Sequence, residues 1–342
     1  MVGIIEVAQH AGVSTATVSR ALNGKANVSA RARERVLKSA QELGYVASSS
    51  AYTLATGKAK NIGVVVPFID RWFFSTILEG AVNAIVNRGY DVTLYSLSGG
   101  NENRNRIFDE LVLRKRVDGV LTIALRLSES ELKKLAELEK PIIGIGGPIP
   151  GARSISIDDE GAGRLATAHL ISLGHTKIGM ISGSPVTQME FHQPYLRMTG
   201  YHEALLDANL DFHPQWMAEA TFTIDGGYHA AKQMLGKPQN APTAIFCAGD
   251  EIAFGAIQAA RDLGLRVPQD ISVVGIDGHP LAEFYGLSTV DQKVMNQGAK
   301  AADTLIDNLE SGDKKDLKNF EQLTIWPIDL VVRSSTARRT DS

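Results

Sequence analysis

Cysteine is nearly absent from this chain. Cys247 is the one thiol in 342 residues, which excludes an internal disulfide and a cysteine-based metal cluster. Its neighbours Ile245 and Phe246 place it in a buried strand. No apolar run approaches the roughly 20 residues that span a bilayer, and Met1 to Val13 does not read as a signal peptide. A cytoplasmic location is the expectation. Catalytic signatures are missing too. There is no P-loop, no H-E-x-x-H and no G-x-S-x-G, and Gly144-Ile145-Gly146-Gly147 is not a G-x-G-x-x-G opening a helix. The eight histidines are scattered, and His169 and His175 have no metal-site partners nearby. No cofactor and no metal are expected. The polar C-terminal tail carries no leucine heptad, so nothing in it suggests a tetramer.

Charge is scarce overall but unevenly placed. The net charge is −3, with 44% hydrophobic and 21% charged residues, as in a globular protein of two or three domains. Residues 1–60 hold eight Lys/Arg against three Glu, a net of +5, and the remainder carries 27 basic against 35 acidic side chains, a net of −8. A basic head on an acidic body directs the head toward phosphate and keeps the body off it.

That basic head contains the most informative stretch, Ile4 to Asn23. Ile4, Val7, Ala8 and Ala11 recur at helical spacing, Gly12 breaks the run, and Ser14 can cap a second helix with Val18, Ala21 and Leu22 on one side. Ala8 permits a close helix crossing, Gly12 tolerates a turn with φ > 0, and Val18 fills the crevice between the helices. This is helix-turn-helix chemistry, whose second helix enters a DNA major groove. A third helix is predicted over Arg31–Leu43, capped by Ser29 and stopped by Gly44. Residues 45–60 then read as a linker in which Ser50–Ala55 can form a helix too short to stand alone.

From Asn61 the pattern changes. Short β-rich runs at Ile62–Val66, Asp91–Tyr95, Gly119–Ala124, Ile142–Ile145 and Ser154–Ile157 form a first series, with amphipathic stretches Thr76–Arg88, Asn103–Arg114 and Glu129–Glu139 between the first four. A second series has strands Ile178–Ser182, near Thr221, Ala244–Cys247 and Ile271–Ile276. Its helices are Ala162–Leu173, Arg197–Ala208, Gly226–Leu235 and Glu251–Leu263. Gln297–Leu309 reads as one more helix, and Arg333–Ser342 as a frayed polar end. Alternation of this kind predicts two lobes, each a doubly wound parallel sheet.

Such sheets bind ligands beyond their strand C-termini. The first strand is followed by Pro67-Phe68-Ile69-Asp70-Arg71-Trp72-Phe73-Phe74, which reads as a loop mixing aromatics with charge. Phe222, Asp250 and Asp277 lie beyond later strands. Carboxylates with an arginine can fix hydroxyls, and aromatic faces stack on a sugar or a base. Each aromatic alone could equally be core, and Asp250 could equally be a helix N-cap.

Taken together, these residues resemble the lac-repressor/gal-repressor family of bacterial transcription regulators over nearly the whole chain. The matching motifs are Val7-Ala8 through Gly12-Val13-Ser14, Thr17-Val18-Ser19-Arg20, Leu22-Asn23-Gly24, Val28-Ser29, Gly44-Tyr45, Ile62 to Pro67 and Phe73-Phe74. In the second lobe they are Gly174-His175, Ile178-Gly179, Arg197 with Gly200-Tyr201, and Arg266-Val267-Pro268 to Asp277. The resemblance implies a helix-turn-helix head over 1–46, a hinge with a short helix over 47–60, and an effector-binding, dimerising body over 61–342. That body would share the fold of periplasmic sugar-binding proteins, with an N-lobe of about 61–159 plus 291–330 and a C-lobe of about 160–290.

Roles follow residue by residue as what the resemblance implies. Thr15, Ala16 and Arg20 would face base edges; Thr17, Ser19, Asn23, Asn27 and Ser29 would touch phosphates. Leu54 would wedge into the minor groove from both subunits of a homodimer on a pseudo-palindromic operator. Asp70, Arg71, Trp72, Phe73, Arg197, Phe222, Asp250 and Asp277 would hold the effector. Several positions depart from the family pattern: Ala47-Ser48 for Pro-Asn, Tyr52 for Arg, Arg71-Trp72 for Asn-Pro, Gly249 for Asn, Gly278 for Asp and Asp291 for Arg. A sugar, polyol or sugar phosphate is the expected effector, with a nucleoside or purine as the runner-up. Repression is the expected sign, and activation stays open. An enzyme and a transport-type binding protein are the rival readings; the missing motifs weigh against the first and the basic head against the second.

Overall fold

The computed structural model describes residues 2–22, 27–45, 58–98, 100–114, 116–183, 193–311 and 323–339. They fall into two compact units, one comprising Met1–Asn61 with Arg116–Asp118 and the other Ile62–Lys115 with Gly119–Ser342. The hinge region 47–57 and Asn23 lie outside the described residues.

In the first unit, α1 (Ile4–Ala11), α2 (Thr15–Leu22) and α3 (Ala30–Glu42) enclose a core of Val7, Ala8, Ala11, Val18, Ala21, Val36 and Ala40. The local chemistry follows the sequence. Gly12 takes φ 63°, where an L side chain is disfavoured. The Thr17 N–H donates to Ser14 Oγ at 3.2 Å and the Ala32 N–H to Ser29 Oγ at 3.3 Å, each satisfying an otherwise orphaned helix donor. Gly44, at φ 61°, ends α3 while the Tyr45 N–H donates back to Ala40 O at 2.8 Å.

The second unit holds two six-stranded sheets. The first contains β1 (Asn61–Val66), β2 (Asp91–Ser96), β3 (Gly119–Ile123), β4 (Ile142–Ile145), β5 (Arg153–Ile157) and β11 (Leu323–Trp326), ordered β11-β5-β4-β3-β1-β2. The second contains β6 (Ile178–Gly183), β7 (Met217–Ala220), β8 (Ala244–Cys247), β9 (Ser272–Asp277), β10 (Ser288–Asp291) and β12 (Asp329–Val331), ordered β12-β10-β9-β8-β6-β7. Ladders between β1, β3, β4, β5 and β11 are parallel, as are those from β7 to β10, and β12 runs antiparallel to β10. The strand order is the same in both lobes.

Helices cover the sheets: α4 (Trp72–Asn87), α5 (Gly100–Arg114), α6 (Glu129–Glu137), α7 (Asp159–Ser172), α8 (Gln193–Asp207), α9 (Ile224–Leu235), α10 (Asp250–Asp262), α11 (Leu281–Tyr285) and α12 (Val294–Ser311). Three helix pairs cross at reciprocal glycines. A Cβ on Gly80 of α4 would meet the Met295 carbonyl, and one on Gly298 of α12 the Ile77 carbonyl. Gly163 and Gly200 serve α7 and α8 in the same way, against the backbones of Arg197 and Glu160, and Gly227 and Gly255 serve α9 and α10. The chain passes between the sheets after β5, after β10 and after β11, and Trp326 packs against the cores of both lobes.

Three differences from the sequence reading have physical causes. Strands β10, β11 and β12 were not expected. Polar Ser288 and Thr289 of β10 are nonetheless buried, because Ser288 Oγ bonds Arg333 O and Thr336 Oγ1 and Thr289 Oγ1 donates to Asp250. The C-terminal stretch 333–339 is not frayed. Ser335 Oγ donates to Val273 O at 2.6 Å, His175 Nε2 lies 3.2 Å from Ala337 O, and the Arg339 N–H donates to Leu173 O at 2.8 Å. Finally, α4 begins at Trp72, so Trp72, Phe73 and Phe74 occupy a first helical turn instead of a loop. Phe74, Ile77, Ala81 and Ile85 carry the buried face of that helix; no capping side chain at Arg71 signals its start.

Candidate functional site

In the head, α2 buries Val18 and Ala21 and turns Thr15, Ala16 and Arg20 outward as exposed residues. Thr17 is half-buried with its hydroxyl 2.9 Å from Ser14 Oγ, and Ser19 is half-buried. Asn27 and Ser29 are exposed beside the start of α3, where Ser29 also caps. The helix thus exposes two small side chains and one guanidinium.

The body carries a cleft lined by Arg71, Phe73, Phe74, Ala124, Gln193, Pro194, Arg197, Phe222, Glu251 and Asp277. Its position follows from topology. In each lobe the strand order reverses beside the first strand of the series, β1 in one and β6 in the other, leaving a crevice at the strand C-termini. Arg71, Phe73 and Phe74 follow β1 and Ala124 follows β3, while Phe222, Glu251 and Asp277 follow or end β7, β8 and β9. The two crevices face one another across the cleft.

The cleft floor is a hydrogen-bonded acid–base network. Arg197 is 5% exposed; its Nε donates to Asp159 Oδ1 at 2.8 Å and a terminal nitrogen to Ala248 O at 2.5 Å. Asp277 accepts Gln292 Nε2 at 2.6 Å and the Asp250 N–H at 3.2 Å. Asp250, wholly buried, accepts Thr289 Oγ1 at 2.7 Å and the His279 N–H at 2.8 Å. Burial pushes the carboxyls of Asp159, Asp250 and Asp277 upward, since each would be charged in a poorly solvated place. The Arg197 charge opposes this at Asp159 and Asp277, and the charge of Asp277 adds to it at Asp250. Asp277 also sits at φ 142°, an uncommon conformation for a side-chain-bearing residue.

Among the described residues, two contacts bridge the lobes at the cleft. Gln193 Nε2 donates to Gly146 O at 2.7 Å, and the Trp72 ring lies 4.3 Å from that of His279, centre to centre. Arg71 stacks its guanidinium 3.8 Å over the Phe68 ring. Among the expected effector residues, Arg71, Phe73, Arg197, Phe222 and Asp277 line the cleft. Trp72 lies beside it, Asp70 is exposed, and Asp250 stands behind Asp277 as the first residue of α10, with Gly249 as the cap.

A model of the bacterial regulatory proteins, lacI family, matches residues 3–48, and one of the periplasmic binding protein-like domain matches residues 167–336. The HTH-type transcriptional repressor PurR of Vibrio vulnificus (strain CMCP6) is 33% identical over 343 residues, covering 99% of both chains. Its counterpart in Haemophilus influenzae (strain PittEE) is 32% identical and covers 98% of both. The chain belongs to the lacI family. The lac repressor dimer bound to operator and the anti-inducer ONPF matches at TM-score 0.84 and 28% identity, over 98% of this chain and 99% of that one. The transcriptional regulator CelR–cellobiose complex matches at TM-score 0.70 and 29% identity, over 98% and 100%.

As a lacI-family protein the chain is a DNA-binding transcriptional repressor under allosteric control by a small molecule, and not an enzyme. Among the described residues no helix is long and apolar enough to cross a membrane, and no cluster of His, Cys, Asp and Glu could hold a metal. Cys247 is buried in β8, and burial pushes its thiol upward. Phe74 belongs to the stretch after the first strand that the sequence singled out, whereas Ala124, Gln193, Pro194 and Glu251 were missed as wall residues. The strand-end rule alone points to Ala124 and Glu251, because they follow β3 and β8; Gln193 and Pro194 carry no such signal.

Proposed function

We propose that this repressor binds as a homodimer to a pseudo-palindromic operator and responds to a nucleobase-like effector, a planar nitrogen ring held between aromatic faces. The working division is a head over 1–46, a hinge over 47–60 and a body over 61–342. Exposure supports base-edge contacts by Thr15, Ala16 and Arg20 and phosphate contacts by Asn27 and Ser29; for the half-buried Thr17 and Ser19 the phosphate role is supported by the family pattern. For Asn23 and the minor-groove leucine Leu54, support comes from the family pattern. The dimer is supported by the lac repressor neighbour, a dimer on its operator, and a cytoplasmic site of action by the DNA target.

The observation that carries the effector reading is the composition of the cleft wall. Phe73, Phe74 and Phe222 give it three aromatic rings, and Asp277 places a carboxylate among them. Base–aromatic stacking contributes about 1–3 kcal/mol per ring, and a carboxylate accepts a ring N–H. A sugar phosphate fits poorly. Arg197 is already committed to Asp159 and Ala248 and Arg71 to the Phe68 ring, while Glu251 and Asp277 repel an anion. Relatives at 31–33% identity carry the name PurR, whereas CelR was solved with cellobiose. An uncharged sugar is therefore the second reading.

Ligand binding between the lobes changes how they close, and closure is the element an effector can bias. Gel-shift titration of an operator fragment with purine bases on one side and neutral sugars on the other tests the proposal. A base should move the operator midpoint at least tenfold, which requires about 1.4 kcal/mol of differential affinity. A shift by sugars alone would overturn the base reading, and no preference for operator over random DNA would overturn the operator contacts.

A further inference from the structure

We propose that Glu251 is a specificity-determining acceptor that selects an effector bearing an amino group over the same ring without one. The inference rests on the small-molecule cleft described above and narrows the chemistry of what enters it.

Glu251 occupies the second position of α10 and lines the cleft wall of the C-lobe, half-buried. Its situation differs from that of every other acid at the site. Asp159 is held by Arg197, Asp250 by Thr289 and His279, and Asp277 by Gln292 and a backbone N–H. Among the described residues, none donates a hydrogen bond to the Glu251 carboxylate within bonding distance. A half-desolvated carboxylate without a donor is costly to keep. Here the residue lines a cleft that a ligand can enter.

The surroundings tell which donor fits. Burial and then the charge of Asp277 push the Glu251 carboxyl upward, and Arg71, on the opposite lobe but lining the same cleft, pulls it back toward the charged form. Arg71 stacks over Phe68, so its charge acts on Glu251 through space. A neutral hydroxyl offers one proton to this wall. An amino group offers two, carries partial or full positive charge, and can satisfy Glu251 while Asp277 accepts from another edge. A hydrogen bond to an ionised carboxylate is roughly twice as strong as a neutral one; a ring with no donor at that position forfeits it and an ammonium adds its own charge, so the discrimination is set by Glu251 more than by the aromatic faces, which treat both ligands alike.

Binding of matched pairs to the full-length chain, followed by calorimetry and by tryptophan fluorescence, tests this: guanine against hypoxanthine, and glucosamine against glucose. In the wild-type chain the amino member of the pair that binds should be favoured about tenfold or more. In E251Q that ratio should fall to about threefold, and in E251L to about one; E251Q preserves shape and covers the case in which E251L does not fold. Equal affinity within the binding pair in wild type, or a ratio undiminished in both variants, overturns the proposal. If only the sugar pair binds, the base reading fails while the amino ratio still decides the role of Glu251. Failure of all four ligands to bind overturns both.

Discussion

The two lobes share one strand order, yet nearly all the hydrogen-bonding side chains of the cleft come from one of them. The N-lobe supplies Phe73, Phe74 and Ala124, with Arg71 already stacked on Phe68, whereas the C-lobe supplies Gln193, Arg197, Glu251 and Asp277 beside the apolar Pro194 and Phe222. Topology therefore fixes where a ligand sits but not which lobe recognises it. Asp277 is tied to Gln292 and, through the Asp250 backbone and Thr289, to β10 and α10, and Arg197 to Asp159 and Ala248, so these groups are set before anything binds. The N-lobe contributes flat apolar faces that gain contact only as the lobes approach. Recognition on one side and closure on the other is the division of labour this asymmetry supports.

Removing the centre of the C-lobe network should break the comparison most severely. R197A leaves Asp159 buried beside Asp277 with no counter-charge, and breaking a buried pair costs about 3–5 kcal/mol. Urea unfolding should show that loss, and effector binding should vanish with it. Retained stability in R197A would mean that the lobe tolerates the bare acids. The glycine crossings come next. G80A in the N-lobe and G163A in the C-lobe each force a Cβ onto backbone, and overpacking of this kind costs about 1–3 kcal/mol. The two should lower stability alike, but G163A presses on the Arg197 backbone and should alone weaken the effector. An equal effect of both on binding would erase the distinction between lobes. A smaller effect is expected from F73A. Loss of one stacking face should weaken a base about 10- to 100-fold with little change in stability, because Phe73 is only half-buried; a neutral result would take the N-lobe out of recognition.

The same asymmetry explains what could be read in the chain and what could not. Helix spacing, a cap and a turn glycine are local, so Val7, Gly12, Ser14 and Val18 reveal the head without any tertiary knowledge. The parallel strands of the body are apolar runs such as Val64 to Val66 and are equally plain. Strand β10 was invisible because Ser288 and Thr289 are buried only by partners some 40 to 50 residues away. The polar tail read as loose for the same reason, since its partners Val273, His175 and Leu173 belong to distant elements. At the cleft, the strand-end rule found Phe73, Phe222 and Asp277. It could not separate Asp277, which faces the ligand space, from Asp250 behind it, because both follow strand ends and only the fold orders them by depth.

That difference in depth yields the last test. Burial, and next the charge of Asp277, raise the Asp250 carboxyl above its ordinary 3.8. The folded protein therefore keeps a proton that the unfolded chain gives up. Stability drawn from this group is complete below pH 3.8 and is lost as pH rises through the higher folded-state value. D250N cannot titrate and should lack that decline. It sacrifices an acceptor for Thr289 or the His279 N–H, which lowers its stability by an amount that does not vary with pH. The gap between D250N and wild type should then narrow as pH climbs above 4, at no more than about 1.4 kcal/mol per unit, and by less because Asp277 titrates alongside. Denaturant midpoints measured at several pH values give the slope. Parallel curves would show that Asp250 is ionised throughout, and that the C-lobe network holds two neighbouring charges where we expect one and a proton.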